Sequence, residues 1–168
     1  VQSQIIGIDT SRIEGDEALA NQISLLSVGT GNQFDHTAIW YFDSDVEGWT
    51  GSPDAPAIVA SGYLRPTTAS YVMSPTGLGI AAVTYGQVRA RIRKAGSPTW
   101  TGRLYWRAAG AAWDTARSVA ISAPTYQADG TADLTFNPGW TGTVDQIRLD
   151  LTSGATSAAY VEFDWIAI

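Results

Sequence analysis

Aromatic side chains next to turn-forming residues are the clearest chemical signal in this sequence. The chain holds 7 Trp and 7 Tyr among 168 residues. An indole ring can stack on the apolar C–H face of a sugar ring while nearby polar groups bind its hydroxyls. Four tryptophans lie beside Gly, Pro, Asp or Thr in expected loops and are the candidates for such contact: Trp49, Trp100, Trp113 and Trp140.

Packing is the alternative role for each of these tryptophans. Trp140, in Pro138-Gly-Trp-Thr-Gly142, would suit a plug at one end of a β-sandwich. The remaining tryptophans fall inside expected strands and are expected in the core: Trp40, Trp106 and Trp165. The four loop candidates carry more weight as a set than any one of them alone.

Arginine supplies almost all of the positive charge, because Lys94 is the one lysine among the 10 basic residues. Arg89, Arg91 and Arg93 alternate along one expected strand and so share a face. A guanidinium binds carboxylate or phosphate through two parallel hydrogen bonds. We therefore add Arg89 and Arg91 to the candidate carbohydrate-binding residues, with Arg103 and Arg107 expected on a neighbouring strand. An acidic or phosphorylated polysaccharide would fit such a face.

Two other interpretations of the arginines stay open. In the first, they pair across strands with Asp and Glu on a solvated outer face. In the second, they contact another subunit. The sequence alone does not separate these interpretations from ligand binding.

Composition excludes much catalytic chemistry. The chain has no Cys and one His, His36, which rules out disulfides, thiol nucleophiles and Cys-based zinc sites. No pair among the 16 acidic residues is marked out as the carboxylates of a glycosidase. We expect no enzymatic activity. A net charge of −6 argues against nucleic acid as a partner, and no apolar stretch is long enough for membrane insertion.

Residues 38–168 have the period-two pattern of strands. In Gln87–Arg93, Val88, Ala90 and Ile92 alternate with arginines, as expected for a sheet with one buried face. Turn clusters rich in Gly, Pro, Asp and Ser separate the segments. Other strands are expected near 38–43, 57–64, 68–73, 78–84, 102–107, 117–121, 131–136, 143–151 and 159–167. The pattern predicts an all-β fold, an antiparallel β-sandwich or jelly roll.

Residues 1–37 differ and are expected to form a connector with a short helix over 16–28. Leu19, Ile23 and Leu26 recur at helical spacing on one narrow stripe. Such a helix either docks on the domain or associates with copies of itself, and two heptads are too few to decide between these. The predicted organisation is thus a connector over 1–37 and a β-sandwich over 38–168.

Two terminal motifs resemble galactose-binding-like carbohydrate-binding modules. The first is Trp40-Tyr-Phe-Asp43-Ser-Asp-Val-Glu47-Gly-Trp49, and the second is Tyr160-Val-Glu-Phe-Asp164-Trp-Ile-Ala-Ile168. Such modules commonly hold a structural calcium ion between their first and last strands. The resemblance implies Asp43 and Asp164 as its carboxylate ligands, of the hard oxygen type that calcium prefers. The alternative is that these acids cap turns.

The chain also resembles a C-terminal region of phage central tail-tip proteins, the host-specificity proteins of long-tailed siphophages. The resemblance rests on Ser3-Gln-Ile-Ile-Gly-Ile-Asp9, the connector helix, Trp40-Tyr-Phe-Asp43, Val144-Asp-Gln-Ile-Arg-Leu-Asp150 and Asp164-Trp-Ile-Ala-Ile168. It implies an extracellular virion location, a homotrimer and contact with other tail-tip proteins.

Taken together, these features lead to the expectation of a non-enzymatic adhesion domain that binds a bacterial surface polysaccharide. One alternative is a structural or trimer-stabilising domain of the tail tip that binds no sugar. A second is the carbohydrate-binding module of a secreted glycan-active enzyme, although such modules more often follow a Pro/Ser/Thr-rich linker than an apolar-striped helix.

Overall fold

The computed structural model describes residues 36–68 and 71–168. This part of the chain is all-β and contains no helix, so it has none that could span a membrane. Its strands are β1 (Ile39–Tyr41), β2 (Ile58–Ala60), β3 (Tyr63–Arg65), β4 (Tyr71–Met73), β5 (Ile80–Ala81), β6 (Val88–Ala95), β7 (Trp100–Arg107), β8 (Ser118–Ala120), β9 (Thr131–Phe136), β10 (Thr143–Val144), β11 (Gln146–Thr152) and β12 (Tyr160–Ala167).

The strands form two antiparallel sheets that pack face to face. The larger sheet has the order β2-β3-β12-β6-β9, and β1 also pairs with β12. The smaller one has the order β4-β11-β7-β8, and β5 and β10 form a separate two-stranded ribbon. The first and last strands are therefore neighbours, as in a jelly roll. The predicted antiparallel β-sandwich is confirmed.

Strict alternation along the long strands builds the core. Val88, Ala90 and Ile92 of β6 are fully buried and face Leu104 and Ile147 of the other sheet within one hydrophobic cluster. The residues between them point outward on both sheets. Each sheet therefore offers one solvent-facing side on which polar and aromatic residues are arranged in rows.

A β-bulge at Asp164 changes the alternation of β12. Phe163 lies opposite Ile92, and Ile166 lies opposite Ala90. Between these two pairs β12 has two residues where β6 has one. Asp164 and Trp165 together oppose Arg91. The extra residue keeps Phe163 and Ile166 in the core and places Trp165 on the outward side. The expectation that Trp165 lies in the core is therefore wrong, whereas Trp40 is buried as expected.

Segment 57–64, expected to be one strand, contains a turn. β2 and β3 form a hairpin in which Ala60 pairs with Tyr63. The two residues between them, Ser61 and Gly62, have φ values of 55° and 77°. This left-handed pair matches the twist of a tight hairpin. Ser-Gly is a turn signal that the hydrophobic alternation on either side obscured.

The predicted connector over 1–37, including its helix over 16–28, lies outside the described residues except for His36 and Thr37. Its boundary with the sandwich stays a prediction.

Candidate functional site

The outward side of the smaller sheet carries aromatic and arginine side chains in adjoining rows. We call it the β7 face. By strand register, Tyr71, Asp150 and Arg103 form one row, and Met73, Arg148 and Tyr105 form the next. Gln146 and Arg107 form a third row. Neighbouring strands are about 4.8 Å apart, so these rows make a continuous platform rather than isolated contacts.

Arg148 lies between two tyrosine rings at the centre of the β7 face. Its guanidinium carbon is 4.2 Å from the ring centroid of Tyr71 and 4.6 Å from that of Tyr105. Its Nη2 donates to Asp150 Oδ2 at 3.1 Å. These contacts hold both rings in place through cation–π attraction and a short ion pair. The two tyrosines are half-buried, so part of each ring faces solvent.

Arg107 links this platform to the loop between β7 and β8. Its Nε donates to Gln146 Oε1 at 2.8 Å, and its Nη1 donates to the carbonyl of Ala111 at 3.1 Å. The guanidinium carbon lies 4.9 Å from the ring centroid of Trp113. Gln146 is fixed in turn, because its Nε2 donates to the carbonyl of Ser74 at 2.7 Å. Trp113 is thus tethered at the rim of the β7 face and is half-buried, so part of its ring faces solvent, which its predicted role in binding requires.

Arg103 is the arginine of the β7 face with the fewest partners. Its Nη1 donates to Ser118 Oγ at 2.8 Å, and that hydroxyl donates to the carbonyl of Thr115 at 2.7 Å. Asp150 is its register neighbour on β11 but forms its ion pair with Arg148. A guanidinium has five N–H donors, so Arg103 retains donors for a ligand.

The outward side of the larger sheet, which we call the β6 face, has arginines paired with acids. Arg91 makes two hydrogen bonds to Asp133, at 2.8 and 3.1 Å, and these raise the pKa of Arg91. Arg65 and Arg93 both bind Glu162, whose side chain is only 1% exposed. The interpretation of arginines paired across strands with Asp and Glu therefore describes Arg91 and Arg93. Arg89 donates from Nε to Gln87 Oε1 at 2.8 Å.

Aromatic rings on the β6 face include four that sequence reasoning missed as surface residues. The guanidinium carbons of Arg93 and Arg65 lie 3.7 and 4.1 Å from the ring centroids of Tyr63 and Tyr160 respectively. Tyr41 is 52% exposed and pairs in register with Trp165. A turn signal at Ser61-Gly62 could have placed Tyr63, but nothing local in the sequence marks the bulge that exposes Trp165.

Two of the four tryptophans predicted to bind carbohydrate are core residues. Trp49 is 1% exposed and meets Trp40 and Phe42 edge to face, with ring centroids 5.2 and 6.0 Å apart. Trp140 is 5% exposed, and its Nε1 donates to the carbonyl of Tyr85 at 2.8 Å. Neither ring offers a face to a ligand, so both assignments are wrong. Flanking turn residues gave these tryptophans the appearance of loop residues, but the loops fold inward over the sandwich.

Trp100 is likewise held in place by the fold. It begins β7 on the inward side of the strand, and its Nε1 donates to the carbonyl of Ile121 at 2.8 Å. Its indole lies over Gly102, where a Cβ would approach Nε1 to 2.5 Å. The ring is half-buried and packs against the core cluster, so only part of it faces solvent, and its role in carbohydrate binding stays a prediction.

The predicted arginine cluster is split between the two sides of the molecule. Arg89, Arg91 and Arg93 belong to β6, whereas Arg103 and Arg107 belong to β7 in the other sheet. The expectation that these five share one face is therefore wrong. Strands that are consecutive in sequence need not be neighbours in a sheet, and here the chain crosses from one sheet to the other between β6 and β7.

Asp43 and Asp164, the predicted calcium ligands, lie near the junction of the first and last strands. Phe42 N donates to the carbonyl of Asp164 at 3.2 Å. Burial raises the pKa of Asp164; Arg91 acts against this shift, and Asp43 adds to it through charge repulsion. The carboxylates are of the type that calcium binds, but no cluster of three or more acidic or histidine residues exists among the described residues. Backbone oxygens and water would have to complete the shell of six to eight ligands.

The comparisons with known proteins bear on the fold. No protein-family model and no curated protein matches the chain. A solved low-affinity xylan-binding module, CBM86, from Roseburia intestinalis is similar with a TM-score of 0.50 and 14% identity, over 77% of this chain and 92% of that one.

A second similar structure is the second N-terminal cellulose-binding domain of β-1,4-glucanase C from Cellulomonas fimi. Its TM-score is 0.50 and its identity 13%, over 82% of this chain and 95% of that one. Both likenesses show the fold: the chain has the β-sandwich found in these carbohydrate-binding modules.

Proposed function

We propose that this chain is a non-enzymatic carbohydrate-binding domain and that its β7 face is the binding surface. The observation that carries the proposal is the platform of Tyr71, Tyr105 and Trp113 held by Arg148 and Arg107. Aromatic rings fixed in this way can stack on sugar rings with little loss of side-chain freedom. Asp150 and Arg103 supply hydrogen-bonding groups that sugar hydroxyls need, while the buried Gln146 holds Arg107 in position. The fold shared with two carbohydrate-binding modules supports the proposal.

The finer form of the proposal places the domain on a phage tail tip. There it would bind a surface polysaccharide of the bacterial host, outside the cell, as part of the virion. This step is supported by the resemblance of the terminal motifs and connector to central tail-tip proteins. Three copies on the tail axis would let weak single sites act together through avidity. Light scattering of the full chain tests for the trimer, because a trimer has a molar mass three times that of one chain.

An enzyme-linked carbohydrate-binding module is the second candidate function. The observation that favours it is the similarity in fold to a cellulose-binding domain of β-1,4-glucanase C. The two candidates differ in ligand: a module of a secreted enzyme would bind the substrate polymer of that enzyme, and a tail-tip domain would bind glycans on intact bacteria. The structural alternative without sugar binding predicts neither.

The test measures binding of the full chain to intact bacteria, to their isolated surface polysaccharides and to plant cell-wall polymers, by pull-down and isothermal titration calorimetry. Trp113→Ala and Tyr105→Ala variants report on the β7 face. Tyr41→Ala is the matched control, because Tyr41 is an exposed aromatic residue on the β6 face. Circular dichroism and thermal unfolding confirm that each variant is folded.

We expect saturable binding to one glycan type that is lost in the β7-face variants and kept in Tyr41→Ala. Loss in Tyr41→Ala alone would place the binding surface on the β6 face and overturn the assignment. No binding by the folded wild-type chain across the panel would favour the structural alternative.

A further inference from the structure

The two outward sides of the sandwich differ in charge balance. The β6 face has four arginines for three acids. Arg91 has Asp133 as its partner and lies close to Asp164, Arg65 and Arg93 share Glu162, and Arg89 donates to Gln87. The β7 face has three arginines, Arg103, Arg107 and Arg148, and Asp150 as the one acid in its rows. The β7 face is therefore positive in a chain whose formal net charge is −6.

We propose that the ligand of the β7 face is an anionic saccharide and that Arg103 binds its carboxylate or phosphate group. This inference rests on the proposed function and specifies the class of glycan. A neutral sugar would need donors and acceptors in similar number, whereas the uncommitted groups of this surface are mainly guanidinium donors. A negatively charged chain also repels a polyanion at long range, so a local positive surface is required for such a ligand to bind at all.

Arg103 is the best-placed residue for this role because it is positioned but not neutralised. The Ser118 hydroxyl fixes one edge of its guanidinium through the bond to Nη1, and Ser118 is itself fixed by Thr115. Asp150, the register neighbour of Arg103, forms its 3.1 Å ion pair with Arg148 instead. Two nitrogens of Arg107 donate hydrogen bonds within the protein, Nε to Gln146 and Nη1 to the carbonyl of Ala111. A guanidinium held by a neutral hydroxyl keeps its full charge for an incoming anion.

Tyr105 places a sugar-stacking surface beside this charge. It precedes Arg107 and follows Arg103 on the outward side of β7, and it pairs in register with Ser118. Residues two apart on a strand lie about 7 Å from each other on the same face. A sugar ring stacked on Tyr105 would therefore bring an acidic substituent within reach of the Arg103 side chain.

The experiment uses chemically matched glycans that differ in charge alone. Polygalacturonate is compared with its carboxyl-reduced form, and phosphate-substituted dextran with unmodified dextran, using the full chain in titration calorimetry and affinity electrophoresis. A hydrogen bond to a charged group is stronger than one between neutral groups, so we expect binding to the acidic member of a pair to be at least about tenfold tighter. Tighter binding to polygalacturonate or to the phosphate polymer identifies whether the site recognises a carboxylate or a phosphate group.

Arg103→Gln tests the residue, with Arg91→Gln as the matched control on the β6 face. We expect Arg103→Gln to remove the preference for the acidic polymer and its salt dependence while weaker binding to the reduced polymer remains. Arg91→Gln should keep both the preference for the acidic polymer and the salt dependence of binding. Thermal unfolding verifies that the variants are folded.

Three outcomes would overturn the inference, in distinguishable ways. Equal binding of acidic and reduced polymers by the wild-type chain would reject an anionic ligand and leave the proposed function intact. Unchanged selectivity in Arg103→Gln would reject the role of Arg103. Absence of binding to every polymer, acidic or neutral, would reject the proposed function and this inference together.

Discussion

The guanidinium carbon of Arg107 lies 4.9 Å from the ring centroid of Trp113, in the loop that follows β7. This contact fixes a predicted carbohydrate-binding tryptophan that lies outside the core cluster. A loop aromatic without such a tether would lose side-chain entropy on binding, and the tether removes part of that cost before the ligand arrives. The strand and its following loop therefore act as one unit in the proposed site.

Removal of the Trp113 ring should affect binding more than folding. We expect Trp113→Ala to weaken glycan binding about tenfold, because truncation of an aromatic residue that contacts the ligand commonly costs more than about 1 kcal/mol. The free energy of unfolding should change by less than about 1 kcal/mol, since the side chain is outside the core cluster. Titration calorimetry and denaturant unfolding measure the two effects. An equal loss in both would mean that Trp113 supports the fold.

Removal of the Trp140 ring should have the reverse effect. Trp140 packs against Trp106 with ring centroids 6.1 Å apart and is 5% exposed. Truncation of a buried Trp to Ala costs about 3–5 kcal/mol through lost burial and the cavity left behind. We expect Trp140→Ala to lower the free energy of unfolding by that amount, measured by urea denaturation. A change as small as that of Trp113→Ala would contradict its place in the core.

The contrast between Trp113 and Trp140 shows which features of the fold could be predicted from the sequence and which could not. Alternation along 87–93 correctly predicted that Val88, Ala90 and Ile92 of β6 are buried, because burial in a long strand follows from the local period of the sequence. Whether Trp49 and Trp140 are buried depends on where each loop folds back onto the sandwich, and residues far away in the chain determine this. The bulge at Asp164 depends on pairing with β6 and reverses the face of Trp165. Alternation alone could not reveal it.

Glu162 should be the most sensitive charged residue of the sandwich. Its buried carboxylate accepts from Arg65 Nε and Arg93 Nε, both at 2.8 Å. Glu162→Gln keeps the shape and removes the charge that both arginines need, and breaking a buried pair costs about 3–5 kcal/mol. The arginines are partly exposed, so we expect the low end of this range. Urea unfolding provides the measurement.

Asp133→Asn is the matched control for Glu162→Gln. The Arg91–Asp133 pair lies on the same face, but its side chains are 47% and 60% exposed. Exposed pairs contribute about 0–1 kcal/mol, so this variant should be close to wild type in stability. A similar loss in both variants would show that burial does not set the strength of these pairs.

Asp164 should make stability depend on pH in metal-free solution. In the folded domain, burial raises the pKa of Asp164 above the ordinary value of 3.8 for an aspartate, with the charge of Asp43 adding to the rise. The folded state therefore holds the proton more tightly than the unfolded chain. Stability is lost as pH rises from 3.8 through the raised pKa. Asp164→Asn removes this loss, so we expect it to be more stable than wild type at neutral pH.

Denaturant unfolding from acid to neutral pH, with a chelator present, checks the effect of Asp164. The difference between Asp164→Asn and wild type should shrink to zero below the unfolded pKa, where both states carry the proton. A constant difference at every pH would assign the effect to packing rather than to charge.

Calcium binding by Asp43 and Asp164 predicts the opposite response when the ion is present. A cation between the two carboxylates would offset their burial and mutual repulsion, and an ion that binds only the folded state raises the melting temperature. We expect calcium to stabilise the wild-type chain relative to a chelator, and Asp43→Asn and Asp164→Asn each to remove the difference. Asp54→Asn, at an exposed turn, should retain it. Identical melting curves with calcium and with chelator would show that the pair binds no ion, because Arg91 already offsets the charge of Asp164.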